Sequence, residues 1–176
     1  ANQPVIVIDA GGTNLRVAAI TFAEDGSYKT ANFHKDEMPG SKGKVTKDQF
    51  FERLADFMAP VIDDSDRIGF CFSYATEVTP ACDGKLMHWT KEIQAPQVVG
   101  QYIGQGLNEK LAARGKGGKR IVILNDTIAT LLAGKSVGGA RQYETYLGVI
   151  EGTGSNAAYV EQNANIVKTP GLAAGA

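Results

Sequence analysis

An α/β fold built on a mixed sheet is what this sequence predicts, and three observations predict it. Two continuously apolar runs, "VIVI" at residues 5–8 and "IVIL" at residues 121–124, read as strands covered on both faces. The first leads through a glycine turn into an alternating segment, which makes an antiparallel opening. Between the two runs lie segments whose apolar residues recur at helical spacing. With 176 residues, 43% of them hydrophobic, the chain has the means to bury one core or one core and part of another.

In order, residues 4–23 read as strand, turn and strand. "EDGS" at 24–27 signals a turn into a third strand over 28–38 and completes a meander. "PGSKGKVT" is a loop, and Thr46 with Gln49 three residues later forms a capping box for a helix over 46–59, whose Phe50, Phe51, Leu54, Phe57 and Met58 face inward. A strand over 68–73 follows, then an irregular excursion over 74–96. The next helix covers 98–113, with Tyr102, Ile103, Leu107 and Leu111 inward. "NDTIATLLAG" turns the strand 121–124 into a helix. "YLGVIEGTGSNAAYVE", residues 146–161, repeats the opening device: strand, glycine turn, strand.

Composition narrows the function. A formal net charge of −1 provides no field for nucleic acid or an anionic membrane. Lys110, Arg114, Lys116, Lys119 and Arg120 cluster without interleaved aromatics, which reads as a solvated basic loop. No apolar run approaches the ~20 residues of a membrane span. Cys71 and Cys82 lack metal-ligand spacing, Cys71 reads as a small buried thiol, and a reducing, cytoplasmic setting is expected.

Chemistry concentrates in "DAGGTNLR", residues 9–16. Asp9 stands where a buried strand emerges. Gly11 and Gly12 allow a positive-φ turn and close backbone approach, and Thr13 and Asn14 add donors, a combination that suits an anion as well as an ordinary β-turn. "EGTGSN" echoes it with Gly152, Thr153 and Gly154. The helix required after a dinucleotide fingerprint is absent, because "SNAAYVE" reads as a strand. Two such hairpins can grip a polyphosphate from both sides, with Asp9 holding Mg²⁺ through water. Asn125 and Asp126 stand where a strand becomes a helix, a position equally suited to an N-cap and to a ligand rim.

Taken in order, "DAGGTNLR", "FCFSYATE", "LMHWTKE", "ILNDTIATLLAG" and "GVIEGTGSNAAYVE" resemble the motifs of the hexokinase and glucokinase family, over about residues 5–161. The resemblance implies the actin-like ATPase (ribonuclease H-like) fold. Residues 1–124 would form the small domain, with a mixed sheet, the first phosphate loop and sugar contacts. Residues 125–176 would begin the large domain with its first hairpin. It implies transfer of the ATP γ-phosphoryl group, with Mg²⁺, to a hexose 6-hydroxyl, glucose first among hexoses. Asp126 matches the catalytic base. Asp9, Gly11, Gly12, Thr13, Asn14 and Arg16 match one phosphate loop, and Gly152, Thr153 and Gly154 the other. Ser73, Thr90, Lys91, Asn125, Asp126 and Asn156 match sugar contacts. The rival expectations are another sugar kinase of the superfamily and a non-catalytic hexose sensor.

The match has departures. Ala75 replaces the usual Pro, Glu92 and Ile93 replace Gly and Phe, and Glu151 replaces a neutral or apolar residue. These leave the identity of the hexose open. Further sugar carboxylates and an adenosine site are expected downstream of residue 176, so the chain is expected to be a fragment, inactive by itself.

Overall fold

The computed structural model describes residues 2–137, 143–152 and 154–167. The chain divides into two compact units, Ala1–Asp126 and Thr127–Ala176.

The first unit is a five-stranded sheet covered by helices. Its strands are β1 (Pro4–Ala10), β2 (Asn14–Phe22), β3 (Tyr28–Glu37), β4 (Arg67–Phe72) and β7 (Arg120–Leu124), in the order β3-β2-β1-β4-β7. The meander β1-β2-β3 is antiparallel, as its turn chemistry predicts, while β4 and β7 run parallel to β1. Parallel pairing needs crossovers, and α1 (Lys47–Met58) and α2 (Ile103–Ala113) lie within them. Both helices bury their apolar stripe on one face of the sheet. Phe50, Phe51, Leu54 and Met58 of α1 and Ile103, Leu107 and Leu111 of α2 join Ile6, Ile8, Leu15, Val17, Ile68, Phe70, Phe72 and Ile123 in one core. At Gly106 of α2 a Cβ would run into the Phe51 ring, so glycine there is what lets the two helices close on each other.

α1 begins as the sequence predicts. Thr46 Oγ1 accepts from Gln49 N at 3.1 Å, and Thr46 N donates to Gln49 Oε1 at 2.9 Å. α2 begins differently. It starts at residue 103 rather than 98, after a 3-10 turn at Pro96–Val98, and Tyr102 is its exposed N-cap position, not a core residue. No local side chain caps it. Asp83, about twenty residues earlier, accepts from Gly104 N at 2.7 Å and from Gln105 N at 2.9 Å. A Cβ on Gly104 would sit 2.8 Å from the Asp83 carboxylate, so this remote cap requires the glycine.

Two further expectations are corrected. The excursion over residues 74–96 contains a regular hairpin, β5 (Ala75–Val78) with β6 (Gly84–His88). Its short, polar strands carry little periodicity; the Asp83 cap and a bond from Ile123 N to Cys82 O at 2.8 Å tie it to the rest. Lys110, Arg114, Lys116 and Lys119 of the basic cluster are tethers rather than parts of a solvated loop. Lys110 pairs with Asp48 and Glu52, Arg114 with Glu52 and Asp56, and Lys116 with Asp63. The Lys119 side chain is 7% exposed and donates to Ile62 O, Ser65 O and Asp66 at 2.8–3.1 Å.

The second unit holds most of α3 (Asp126–Val137) and the antiparallel hairpin of β8 (Leu147–Glu151) and β9 (Ser155–Tyr159). At Gly148 of β8 a Cβ would strike the Thr127 carbonyl, so this strand packs flush on the first turn of α3.

Candidate active site

The parallel strands of the first unit end at one edge of the sheet. In register, Asp9 of β1 lies beside Cys71 of β4, and Cys71 beside Leu124 of β7. The residues just beyond, Gly11–Thr13, Ser73 and Tyr74, and Asn125 and Asp126, therefore share the carboxyl rim, the edge where open α/β sheets bind ligands. Ser73 N donates to Ala10 O at 3.2 Å, extending the β1-β4 ladder by one residue and placing this buried serine beside the glycine turn.

The turn is closed by Gly11 N donating to Asn14 O at 3.0 Å. Gly11 and Gly12 do not have positive φ, contrary to the sequence expectation. Gly12 lies close to Lys91, whose Cδ would stand 3.2 Å from a Cβ added there, a contact the lysine relieves by shifting a few tenths of an ångström. Among the described residues, the Gly12 and Thr13 N–H groups make no hydrogen bond within the protein, which leaves two adjacent donors for an anion. Their opposite sides are held: Tyr74 donates its hydroxyl to Gly11 O at 2.7 Å and to Gly12 O at 3.0 Å, and Thr13 O accepts from Met38 N at 2.9 Å. Asn14 is part-buried, with its amide 3.4 Å from Thr13 Oγ1.

Asp9 and Arg16 face each other across β1 and β2, with Arg16 Nη1 donating to Asp9 Oδ2 at 2.6 Å and both side chains about two-fifths exposed (42% and 41%). Asp9 is thus an accessible carboxylate with one oxygen already charge-paired. No group of three or more His, Cys, Asp or Glu residues among the described residues could hold a metal. A lone carboxylate fits Mg²⁺, which keeps much of its water and takes its other ligands from phosphate; it does not fit an ion that needs an all-protein cage.

Thr90 and Lys91 lie on a loop braced at Trp89, whose Nε1 donates to Ala95 O at 2.9 Å. Thr90 is exposed, Lys91 is half-buried, and Lys91 Nζ stands 5.2 Å from the centre of the Tyr74 ring. Ile93 is buried against Gly40, whereas Glu92 points to solvent. Cys71 is unpaired, and burial first, then the nearby Asp9 and Asp126 charges, pushes its thiol up to about 12, so it is inert packing at neutral pH.

Asn125 occupies the N-cap position of α3, and Asp126 is the first helical residue, half-buried. The carboxylate is thus displaced by one position from the cap role that sequence alone allows. In the second unit, Gly152 N donates to Gly154 O at 3.1 Å to close the other turn. Thr153 lies outside the described residues. Gly152, Gly154 and Glu151 are exposed, and Asn156 Nδ2 donates to Thr127 Oγ1 at 3.2 Å. Tyr74, Trp89 and Asp83 are the residues that sequence reasoning missed. Only the aromatic spacing "FCFSY" hinted at the first.

The hexokinase family model matches residues 3–136. Hexokinase-10 of Oryza sativa subsp. japonica is 32% identical over 170 residues, which cover 93% of this chain and 33% of that protein. Hexokinase-2 of Schizosaccharomyces pombe is 28% identical over 186 residues, covering 97% and 40%. Among solved structures, the Schistosoma mansoni hexokinase complexed with glucose superposes with a TM-score of 0.76 at 24% identity, covering 96% of this chain and 38% of that one. The inorganic polyphosphate/ATP-glucomannokinase of Arthrobacter sp. strain KM gives 0.64 at 20%, covering 90% and 58%. The two solved structures share the actin-like kinase fold of this chain, which spans between a third and two-fifths of the hexokinase sequences. With the family's model matching from β1 through nearly all of α3, across both the glycine turn and Asp126, this chain belongs to the hexokinase family.

Proposed function

We propose that this chain carries part of a hexokinase-type phosphotransferase, sugar contacts together with phosphate-facing groups, which moves the γ-phosphoryl group of ATP to the 6-hydroxyl of a hexose, glucose first among the candidates. The observation that carries the reading is the convergence of three sets of groups on one rim: the paired Gly12 and Thr13 N–H donors, Ser73, and Asn125 with Asp126. Phosphoryl transfer passes through a loose transition state with spread charge. It therefore asks for positioned donors and an oriented acceptor more than for covalent chemistry.

In this reading the Gly12 and Thr13 N–H groups face phosphate oxygens, and the second turn, Gly152, Thr153 and Gly154, would add to that grip although its Gly152 N–H is spent on closing the turn. Asp9 would hold Mg²⁺ through water, and the bound ion would supply charge neutralisation for the polyphosphate. Arg16, already beside Asp9, keeps that carboxylate oriented. Ser73, Thr90, Lys91, Asn125 and Asn156 bind sugar hydroxyls. Asp126 accepts a hydrogen bond from the 6-hydroxyl, aims its oxygen at the phosphorus and takes its proton late in the transfer. A carboxylate is a weak base toward an alcohol, so orientation is its larger contribution. A reducing cytoplasmic setting belongs to the same proposal, with both cysteines unpaired.

The test uses the protein expressed from its complete reading frame, incubated with ATP, Mg²⁺ and glucose and followed by phosphorus NMR. The expected result is one glucose 6-phosphate for each ADP formed. Calorimetric binding of glucose without turnover would replace the kinase with a hexose sensor, and the absence of both would overturn the reading.

A further inference from the structure

Tyr74 is 3% exposed, yet its hydroxyl and its ring engage two different parts of the rim. The hydroxyl shares its proton between Gly11 O at 2.7 Å and Gly12 O at 3.0 Å. A peptide unit is planar and trans, so fixing the Gly11 carbonyl fixes the Gly12 N–H on its opposite side, and fixing the Gly12 carbonyl fixes the Thr13 N–H. The one hydroxyl therefore aims both unpaired donors of the turn away from the protein interior. The ring packs on Phe72 at 4.9 Å and on Trp89 at 4.8 Å, and it lies under Lys91 Nζ at 5.2 Å. Trp89 in turn braces the loop of Thr90 and Lys91 through Ala95.

A second path joins the same two parts without passing through Tyr74. Met38 N donates to Thr13 O at 2.9 Å, Gln94 N to Gly40 O at 2.9 Å, and Val45 N to Gln94 O at 2.9 Å. The glycine turn, the loop that follows β3 and the loop of Thr90 and Lys91 thus close into a ring, and the Tyr74 side chain touches both ends of it. Burial, and after it the Asp9 charge, pushes the Tyr74 phenol upward, so it stays a protonated donor throughout the physiological range.

We propose that Tyr74 is a positioning residue that sets the phosphate-facing N–H groups through its hydroxyl and the sugar-side Lys91 through its ring, so that the two substrates are held in one register. The proposal rests on the sugar-kinase reading above, and it divides the residue's effect between the two substrates. Tyr74→Phe removes the hydroxyl and keeps the ring. In the protein from its complete reading frame it should raise the KM for ATP by roughly 5- to 10-fold and leave the hexose KM within about 2-fold. Tyr74→Leu removes both, and should raise the hexose KM by a similar factor as well. A purely structural tyrosine would lower the melting temperature of both variants without this split. An active wild type whose Tyr74→Phe variant keeps both KM values within about 2-fold overturns this proposal alone. So does a Tyr74→Leu variant that shifts only the ATP KM. A wild type with no hexose-dependent turnover overturns the kinase reading and this proposal with it.

Discussion

The two glycine turns are written in nearly the same residues, "DAGGTN" and "EGTGSN", and each is closed by a backbone N–H to carbonyl bond, yet the 176-residue chain supports them differently. The first joins β1 and β2, whose Ile6, Ile8, Ala10, Leu15 and Val17 are buried in the core, and Tyr74 and Met38 hold its carbonyls from behind. The second joins β8 and β9, a two-stranded sheet in which Leu147, Val149 and Tyr159 are 68%, 58% and 61% exposed and Gly148 is the buried contact. A local device is thus only as rigid as the layer behind it. An isolated two-stranded hairpin is marginal in water, whereas a strand in the middle of a covered sheet opens only with the domain.

That contrast is open to direct measurement. In the 176-residue chain, amide hydrogen exchange in β1 and β4 should be slower than in β8 and β9 by at least ~100-fold. Equal protection would mean that the second hairpin has support comparable to the first and would end the comparison.

Single added methyl groups sharpen it next. Gly106→Ala drives a Cβ into the Phe51 ring at the α1-α2 contact and should destabilise the first unit by about 2–3 kcal/mol, read as a fall in its melting temperature. Gly148→Ala drives one into the Thr127 carbonyl and should speed exchange in β8 and β9 while leaving β1 unchanged. If Gly148→Ala also sped exchange in β1, the two units would not be energetically separate.

The smallest effect is expected from acid. The Glu52 carboxyl is held below its ordinary value first by the hydrogen bond from Arg114, and Asp66 below its own by the one from Lys119. A carboxyl lowered in the folded state adds stability above its unfolded pKa, near 4.5 for Glu52 and 3.8 for Asp66, and that stability is lost as pH falls through the lower folded value. Asp66 is exposed and Glu52 about half-exposed, so the melting temperature of the first unit should decline only slightly between pH 5 and 3, and less at high salt. A rise on acidification would contradict the assignment.

The sequence made the local elements legible and left the remote ones hidden. The run "VIVI" and the Thr46–Gln49 capping box mark β1 and α1 because their signals lie within one or two turns of chain. The β5–β6 hairpin is too short and polar to show a period, and its anchor is Asp83 on the N-terminus of α2, about twenty residues away. Lys119 reads as one cation of a basic loop because its carbonyl partners, Ile62 and Ser65, are more than fifty residues upstream. At the candidate site, the motifs marked Asp9, Gly11, Gly12, Ser73 and Asp126. The positive φ expected at the glycine turn is absent, and the approach of Lys91 to Gly12 was hidden because Lys91 comes from a distant loop. The role of Tyr74 was hidden for the same reason: its acceptors lie more than sixty residues before it.

The central claim is that the rim of the first unit orients a sugar hydroxyl through Asp126, and Asp126→Asn in the complete protein tests it most directly. Asparagine keeps the size of aspartate and can still accept a hydrogen bond, but it cannot take the proton. The account predicts that kcat falls by at least ~100-fold, while glucose affinity measured by calorimetry shifts far less and the melting temperature barely moves. An Asn variant that keeps kcat within a few-fold of wild type, with only its melting temperature changed, would make Asp126 a structural residue at the start of α3 and contradict the account.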